Sequence, residues 1–495
     1  MMSLRRSDWL PAVGLAALAL LLRLPFLSQY LYHWDSVNFA LSLNHYDVRL
    51  HQPHPPGYFL YSLLGSGINA VVNNPNISLS LISLIGGVLG VVALYWLGKA
   101  MFGREVGIIA ALLAVTSPMH WFYSEIALSY ALEFFLVTLI AGLCYLQWSG
   151  SRRLWPWLAL LLAAAGGVRQ NDLVFLLPLW LVSLYPLGWR ERIGSVVILG
   201  VGVLVWFVPM AALSGGLGEY LAAVRGASEE IGQASVLVSF NELALNVGRM
   251  VIYLGYSILL GIVPLLWGVW RAVRHPRALL ADKRAWVIVL WTAPAFAFYI
   301  VVHLRQHGHV FTFLPAIYLL IALSIADLAR QVGRERWQQA AAGVTAVVAA
   351  AAGLFFLVSP SALLGMKQVA LQTPSRATIA ARDTFLGERV TAIRDTFDPE
   401  TTIVLGDSVN FRHPDFYFAD FQKAESSEAA VLRVPENVRA VVLLGDDILP
   451  QLTAETGASF LTLPNGDTLR YVSSDDGDGL NRLLMAGLNT EPPGG

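Results

Sequence analysis

The sequence predicts an all-α polytopic membrane protein of about eleven transmembrane helices, followed by a small C-terminal α/β domain outside the membrane. Three observations predict it. The 495 residues are 56% hydrophobic and only 14% charged, with a mean hydropathy of +0.58, whereas a soluble chain is about one quarter charged. Charge is unevenly spread: residues 1–360 carry 22 Lys/Arg and 15 Asp/Glu, and residues 361–495, a much shorter stretch, carry 11 and 19. Basic residues also recur in every second loop between the apolar runs, which is the signature of a chain threaded through a membrane. The domain boundaries predicted are therefore 1–360 and 361–495.

The elements follow in order. Arg5 and Arg6 precede an apolar run over 9–27 that ends without a small-residue cleavage site, so it reads as a retained first helix. A spanning helix needs about 20 apolar residues. Further spans are predicted at 77–98, 105–118, 126–147, 154–168, 172–187, 193–213, 249–270, 286–303, 310–329 and 338–358. With the N-terminus in the cytoplasm, 16 of the 22 basic residues of this part fall in cytoplasmic loops. The expectation is thus an integral, multi-pass protein of the plasma (inner) membrane with its C-terminal domain extracytoplasmic. Residues 58–72 are apolar enough to span, but a span there would invert every later loop. Residues 28–76 are read instead as one outer loop with helices lying on the membrane. There is no internal repeat of the kind that marks many transporters.

The outer side carries the unusual residues. The first loop holds Asp35 and Asp47 with His33, His45, His51 and His54; His120, His303, His307 and His309 belong to the same side. Each histidine alone is most simply a hydrogen-bonding surface group. No His-x-x-x-His pair lies on a clear helix, so no metal ligand set is assigned and no cofactor is expected, a divalent metal being left open. His54-Pro55-Pro56-Gly57-Tyr58 is stiff at its prolines and able to bend at its glycine; it either holds a loop in one geometry or starts the next helix. Glu125, Ser129 and Glu133 are spaced by four, which would put them on one helix face. Glu125 is a functional candidate, while the deeper Glu133 is expected to pair with a neighbouring helix. Arg169 and Arg305 sit at outer span ends, and a guanidinium suits bidentate phosphate contact. Against that stand a local Arg169–Asp172 pair and a snorkelling Arg305. Cys144, the one cysteine, lies in an apolar run and excludes a disulfide framework. No basic stripe points to nucleic acid.

In sequence, an aspartate in a Trp34-Asp35-x-x-x-Phe39-Ala40 setting is followed by His54-Pro55-Pro56-Gly57-Tyr58. Then come Leu97-Gly98-Lys99-x-x-Phe102-Gly103-Arg104, and Ser117-Pro118 with an aromatic and acidic turn. Over residues 1–330 this order resembles the GT-C superfamily of polyprenyl-phosphate-sugar glycosyltransferases, most similarly the protein O-mannosyltransferase and aminoarabinose-transferase branch. His309 through Pro315 is similar to a late segment of that branch. Three residues depart from it: Ser36 stands where many members have an acid after the aspartate, and Glu125 and Leu128 stand in a turn where many have arginine. The resemblance implies transfer of a sugar from a polyprenyl-phosphate donor to a lipid, glycan or protein acceptor, by one displacement with inversion. It implies Asp35 as the general base that deprotonates the acceptor hydroxyl, or as the group that stabilises positive charge developing at the acceptor, with Glu125 orienting the acceptor or sharing the base role. His54, Tyr58, Arg169, Arg305, His307 and His309 would bind the donor phosphate or substrate. Two competing classes remain: a transporter or flippase for a lipid-linked or anionic solute, and a non-catalytic assembly subunit.

In residues 361–495, the runs 402–405 and 440–444 read as buried strands. The runs 459–463 and 468–472 read as a hairpin about Asn465-Gly466. Helices are expected near 377–395 and 425–432. Gly406-Asp407-Ser408 is similar to the nucleophile block of GDSL esterases, but no Asp-x-x-His follows, so a strand-end turn is the simpler reading. No nucleotide-binding glycine motif is present.

Overall fold

Apolar stretches in lipid must satisfy their backbone groups internally, which makes them helices. The computed structural model describes residues 6–233, 240–302, 304–358, 373–422, 425–427, 431–445, 457–475 and 480. Its helices begin with α1 (Arg6–Arg23), α2 (Trp34–Ser42), α3 (Phe59–Val72), α4 (Pro75–Phe102), α5 (Arg104–Thr116) and α6 (Pro118–Tyr123). They continue with α7 (Tyr130–Trp148), α8 (Trp155–Val168), α9 (Gln170–Ser183), α10 (Trp189–Leu213), α11 (Leu217–Gln233) and α12 (Phe240–Ile258). The last of the series are α13 (Ile262–Arg274), α14 (Pro276–Ala281), α15 (Lys283–Val301), α16 (Leu314–Gly333) and α17 (Trp337–Val358).

Every predicted span falls on helix, but not all are long. Seven stretches among the described residues are long and apolar enough to cross a membrane, and two of them, Asn241–Arg274 and Leu314–Val358, contain two helices each. The sequence expectation was eleven. α5, α8 and α9 have 13, 14 and 14 residues; at 1.5 Å per residue the last two reach about 21 Å, short of a hydrocarbon layer of about 30 Å. The chain divides into two compact units, Met1–Leu27 with Ser42–Ile379, and Ser28–Leu41 with Ala380–Gly495. Residues 28–41, which the 1–360 boundary assigned to the membrane part, group with the C-terminal residues instead. The predicted boundary itself lies outside the described residues.

In the first unit α4 is the axis. Asn74 caps it by accepting from Ile77 N, Pro75 occupies its first turn, and Lys99 near its end pairs with Asp8 of α1 at 2.6 Å. Its glycines admit neighbours at backbone distance. A Cβ on Gly86 would lie 2.7 Å from Leu132 Cα of α7, and one on Gly98 2.7 Å from Gly107 Cα of α5. Small residues at such crossings are how membrane helices pack without a hydrophobic driving force between them.

The second unit is built on a four-stranded sheet in the order β1-β4-β6-β5, where β1 is Thr402–Leu405, β4 Ala440–Leu443, β5 Ser459–Thr462 and β6 Thr468–Ser473. β1 and β4 run parallel, and β4–β6 and β6–β5 antiparallel. Ile403, Val441 and Leu443 pack on one face, and Val404, Val442 and Leu469 on the other with Ile393 and Phe418. Burial on both faces explains the unbroken apolar runs at 402–405 and 440–444. Ile393 belongs to α18 (Arg376–Thr396), and a short α19 (His413–Tyr417) follows β1. The helix predicted at 425–432 is absent from the described residues there: β2 (Glu425–Ser427) and β3 (Val431–Arg433) pair antiparallel instead. Cross-strand pairing of Glu425–Ser427 with Val431–Arg433 overrides local helix preference in those residues.

Gly86→Leu is expected to destabilise the detergent-purified protein by about 1–3 kcal/mol, the cost of overpacking, seen as a lower unfolding temperature. Gly200→Leu on α10, where an added Cβ meets nothing, should not lower it. Equal melting of the two variants would refute the close α4–α7 crossing.

Candidate functional site

The membrane unit gathers its polar residues around the break between α8 and α9. Arg169 is that break, its extended backbone ending one helix and starting the next. The guanidinium is 4% exposed. Its Nε lies 3.0 Å from Glu133 Oε2 and its Nη1 donates to Ser129 Oγ at 3.0 Å. The Tyr130 and Tyr58 rings cover it at 4.5 and 5.5 Å. Glu133 in turn accepts from Thr312 Oγ1 at 2.6 Å. The expected helix-to-helix partner for Glu133 is thus Arg169, and Arg169 pairs with Glu133 rather than locally with Asp172. Asp172 is fully buried beside Glu133.

Tyr130 links this pair to the late loop. Its hydroxyl donates to Gln306 Oε1, and its ring lies 6.3 Å from that of His309, which stacks on Tyr299 at 4.9 Å. His307 lies 4.4 Å from the Tyr253 ring, and the Tyr253 hydroxyl donates to the Arg305 carbonyl. The Arg305 guanidinium is exposed and makes no hydrogen bond to a described residue. His54 packs on Tyr58 at 4.8 Å. The His-Pro-Pro-Gly loop is fixed by three donors: Gln170 Nε2 and Tyr220 Oη to the Pro56 carbonyl, both at 3.0 Å, and Tyr46 Oη to the Gly57 carbonyl at 2.5 Å. Gly57 has φ +125° and Tyr58 φ 44°, the latter a conformation that costs a residue with a side chain about 1–2 kcal/mol. The motif therefore both holds one loop geometry and leads directly into α3. His303 lies outside the described residues.

Glu125 is elsewhere in the unit. The predicted common face with Ser129 and Glu133 is not formed, because α7 starts at Tyr130 and residues 124–129 turn after the Ser117-capped α6. Glu125 is fully buried, neither carboxylate oxygen hydrogen-bonds to a described residue, and Arg23 is the cation that acts on it. Arg23, also fully buried, donates to the Ala19, Ala114 and Val115 carbonyls and lies 2.9 Å from His120 Nδ1. Asp47 is bound by the backbone and guanidinium of Arg49, and those hydrogen bonds hold its carboxyl below the usual range. Among the described residues no three His, Cys, Asp or Glu side chains cluster as metal ligands would.

Asp35 belongs to the second unit. α2 begins at Trp34, one turn position before the aspartate, and His33 is the cap: its carbonyl accepts from Val37 N and its Nδ1 from Asp35 N at 3.1 Å. Asp35 is therefore an acid in the first helical turn, where the helix dipole favours it, and not the helix cap. It is 4% exposed, with Oδ2 3.4 Å from His33 Nδ1. The segment leading to it is bound by side chains of α18 and α19. His413 Nε2 donates to the Leu31 carbonyl at 2.9 Å, so the 3.2 Å approach of Arg382 Nη2 to the same nitrogen is not a hydrogen bond. Gly406-Asp407-Ser408 is a strand-end turn in which Asp407 accepts from Val409 N and Asn410 N.

No family profile matches the chain, and no curated protein matches it in sequence. Among solved structures it is similar to ArnT from Cupriavidus metallidurans bound to undecaprenyl phosphate, at 12% identity and a TM-score of 0.58, over 94% of this chain and 97% of that one. The apo ArnT structure gives 15% identity and a TM-score of 0.56, over 98% and 99%. The chain has the GT-C fold. Within this GT-C fold, sequence reasoning had named Arg169, Tyr58, His54 and His309, and the structure joins them through Tyr130. It had not named Tyr130, Gln306, Thr312 or Arg23 as partners, nor Arg382, Asp383 and His413. The signal for Arg23 was present: an arginine at the end of an apolar helix with no water to reach must find carbonyls or an acid. The last three gave none, since an Arg-Asp pair in a polar helix is ordinary.

Burial and the Arg382 charge push the His413 ring from 6.5 down to about 3. The unfolded chain then binds a proton between those values that the folded chain does not, so this group makes stability fall as pH falls from 6.5 toward 3. The expected contribution is at most about 1.4 kcal/mol per pH unit. Thermal unfolding from pH 7 to 4 should show a smaller acid loss in His413→Gln than in the unsubstituted protein; identical slopes would place the titration elsewhere.

Proposed function

We propose that the protein is an integral membrane glycosyltransferase that moves a sugar, a hexose or pentose, from a polyprenyl-phosphate donor to a hydroxyl of a lipid, glycan or protein acceptor at the extracytoplasmic face. What carries the reading is the GT-C fold along nearly the whole chain, together with a buried acid, Asp35, at the start of a capped helix. Seven long apolar helices make it a multi-pass membrane protein. The alternation of basic loops supports cytoplasmic placement of the arginine-rich turns, with the C-terminal residues outside.

In the reaction proposed, an acceptor hydroxyl oxygen attacks the sugar C1 and its proton passes to the Asp35 carboxylate. The bond from C1 to the phosphate oxygen breaks, and the lipid phosphate leaves with the electron pair; a single displacement inverts C1. Arg305, whose guanidinium is exposed, takes the phosphate, with His307 and His309 beside it in sequence, and stabilises the charge that develops there. Arg169, already paired with Glu133, holds the Tyr58 and Tyr130 rings in place, and His54 packs behind Tyr58. Glu125 balances Arg23 and acts as a positioning group. No resident cofactor is part of the scheme.

Purified protein incubated with a panel of undecaprenyl-phosphate sugars should release undecaprenyl phosphate. Movement of the intact lipid across liposomes without its cleavage would replace this reading with a flippase. Asp35→Asn keeps shape and helix start but removes the base. Turnover should fall by about 10²–10⁴-fold, the usual worth of general base catalysis, in a protein that still folds; near-normal turnover would reduce Asp35 to a residue of the helix start. Arg305→Ala should raise the donor KM roughly ten- to a hundredfold, the equivalent of a charged hydrogen bond of about 1.5–3 kcal/mol. An unchanged donor KM would remove Arg305 from the phosphate.

A further inference from the structure

Residues 28–33, which lead into α2, form neither helix nor strand, so their backbone groups must find partners outside regular structure. They find them on α18 and α19. Asp383 accepts from Gln29 N at 3.0 Å, Tyr30 N at 3.1 Å and Ser28 Oγ at 2.8 Å. The next backbone N–H, of Leu31, donates to Tyr417 Oη at 2.8 Å, and the Leu31 carbonyl accepts from His413. The Tyr32 carbonyl accepts from Arg382 Nε at 3.0 Å, while Arg382 Nη2 donates to Asn410 Oδ1 at 2.5 Å. Beyond Asp35, Arg412 Nε donates to Asn38 Oδ1 of α2 at 2.8 Å and is itself held by Asp415. Gly387 lies so close to Tyr30 that an added Cβ would sit 3.0 Å from its ring. Four consecutive residues, 29 to 32, are thus bound by side chains more than 340 positions later in the chain.

We infer that Asp383 is a positioning residue for the transfer reaction, acting through the 28–32 backbone to hold Asp35 in its working place. The inference rests on the reading of Asp35 as base. Asp383 touches no reacting atom; its carboxylate gathers two successive N–H groups and a hydroxyl, an anion in a backbone cradle. Without that anion the N–H groups of Gln29 and Tyr30 lose their acceptor, the Ser28 Oγ bond to the Tyr30 carbonyl is what remains within the turn, and the start of α2 shifts with it. A displacement of about 1 Å at a reacting group costs on the order of 10²-fold in rate. The residues after 380 are therefore part of the catalytic apparatus.

The test uses the full-length protein in detergent and the undecaprenyl-phosphate sugar that it turns over. Asp383→Asn removes the charge and puts an amide NH₂ in place of one of the two accepting carboxylate oxygens. It should lower kcat about 10- to 100-fold with donor KM unchanged, and amide hydrogen exchange at 29–31 should rise. Asp383→Glu, which keeps the charge, should recover part of kcat. On an Asp35→Asn background Asp383→Asn should cost nothing further, because a misplaced base and an absent base are equivalent; a general loss of structure would multiply instead. Tyr417→Phe, which removes one acceptor and little volume, should give a smaller loss of the same kind if Asp383→Asn does not fold. Unchanged exchange at 29–31 in Asp383→Asn, or losses that multiply with Asp35→Asn, would overturn the inference while leaving the base assignment intact. If instead Asp35→Asn turns over normally, the base assignment is lost, and the exchange at 29–31 alone decides whether Asp383 holds the segment.

Discussion

A guanidinium held away from water costs several kcal/mol unless its charge and its donors are matched. In the membrane unit this requirement falls on Arg169, and much of the local structure follows from it. Its position at the extended break between α8 and α9 frees the chain from a continuous helix just where the side chain must reach Glu133 of α7. Glu133 is fixed in turn by Thr312, whose carbonyl accepts from Trp291 Nε1 of α15. One ion pair thereby ties α7, α9, α15 and the turn before α16 together. Removing either partner of such a pair leaves a buried charge, typically at a cost of 3–5 kcal/mol. The Tyr130 and Tyr58 rings lie over the same guanidinium, so the aromatic wall of the candidate site is set by a charge that itself is not free to bind much else.

The second buried cation, Arg23, solves the same problem with different means. It spends its donors on backbone carbonyls at the end of α5 and on α1, where the helix leaves acceptors unsatisfied. Glu125 is the carboxyl that interacts with it electrostatically. The two arginines divide the polar interior of the membrane unit, and this division separates Glu125 from Glu133 although eight residues of sequence join them. Arg305 differs from both in being exposed, which is why it alone is given the anionic ligand in the reaction proposed.

In the other unit the matched groups are backbone rather than charge. The first loop after α1 is extended and would be costly to order on its own. Side chains of α18 and α19 take up its N–H and C=O groups one after another, and the Asp383 carboxyl, pushed upward by burial, remains held by the three donors it accepts from. A helix of nine residues with a single aspartate in its first turn is thereby given one orientation.

The sequence by itself determined the class of molecule. Lipid demands long apolar helices, and the alternating basic loops, the 14% charge and the shift in charge at the C-terminus express that demand directly. Short apolar runs bounded by glycine and aspartate likewise announced β1 and β4, because strands buried on both faces read as near-continuous apolar runs, and Asn465-Gly466 announced the hairpin. The order of motifs from Trp34 to Pro118 pointed to the GT-C fold before any geometry was known. What the tertiary structure decided was which polar residues meet. The spacing of Glu125, Ser129 and Glu133 suggested one helix face, but the Ser117-Pro118 cap starts a six-residue helix that ends before them, so a periodicity of four had no helix to act on. The same holds for residues 28–41: hydropathy places them beside the first span, while their hydrogen bonds place them with residues 380–495. Local pattern reports what each residue needs, water or lipid, and a charge or backbone group needs only some partner; which partner supplies it depends on contacts hundreds of residues apart, and only the folded chain brings these together.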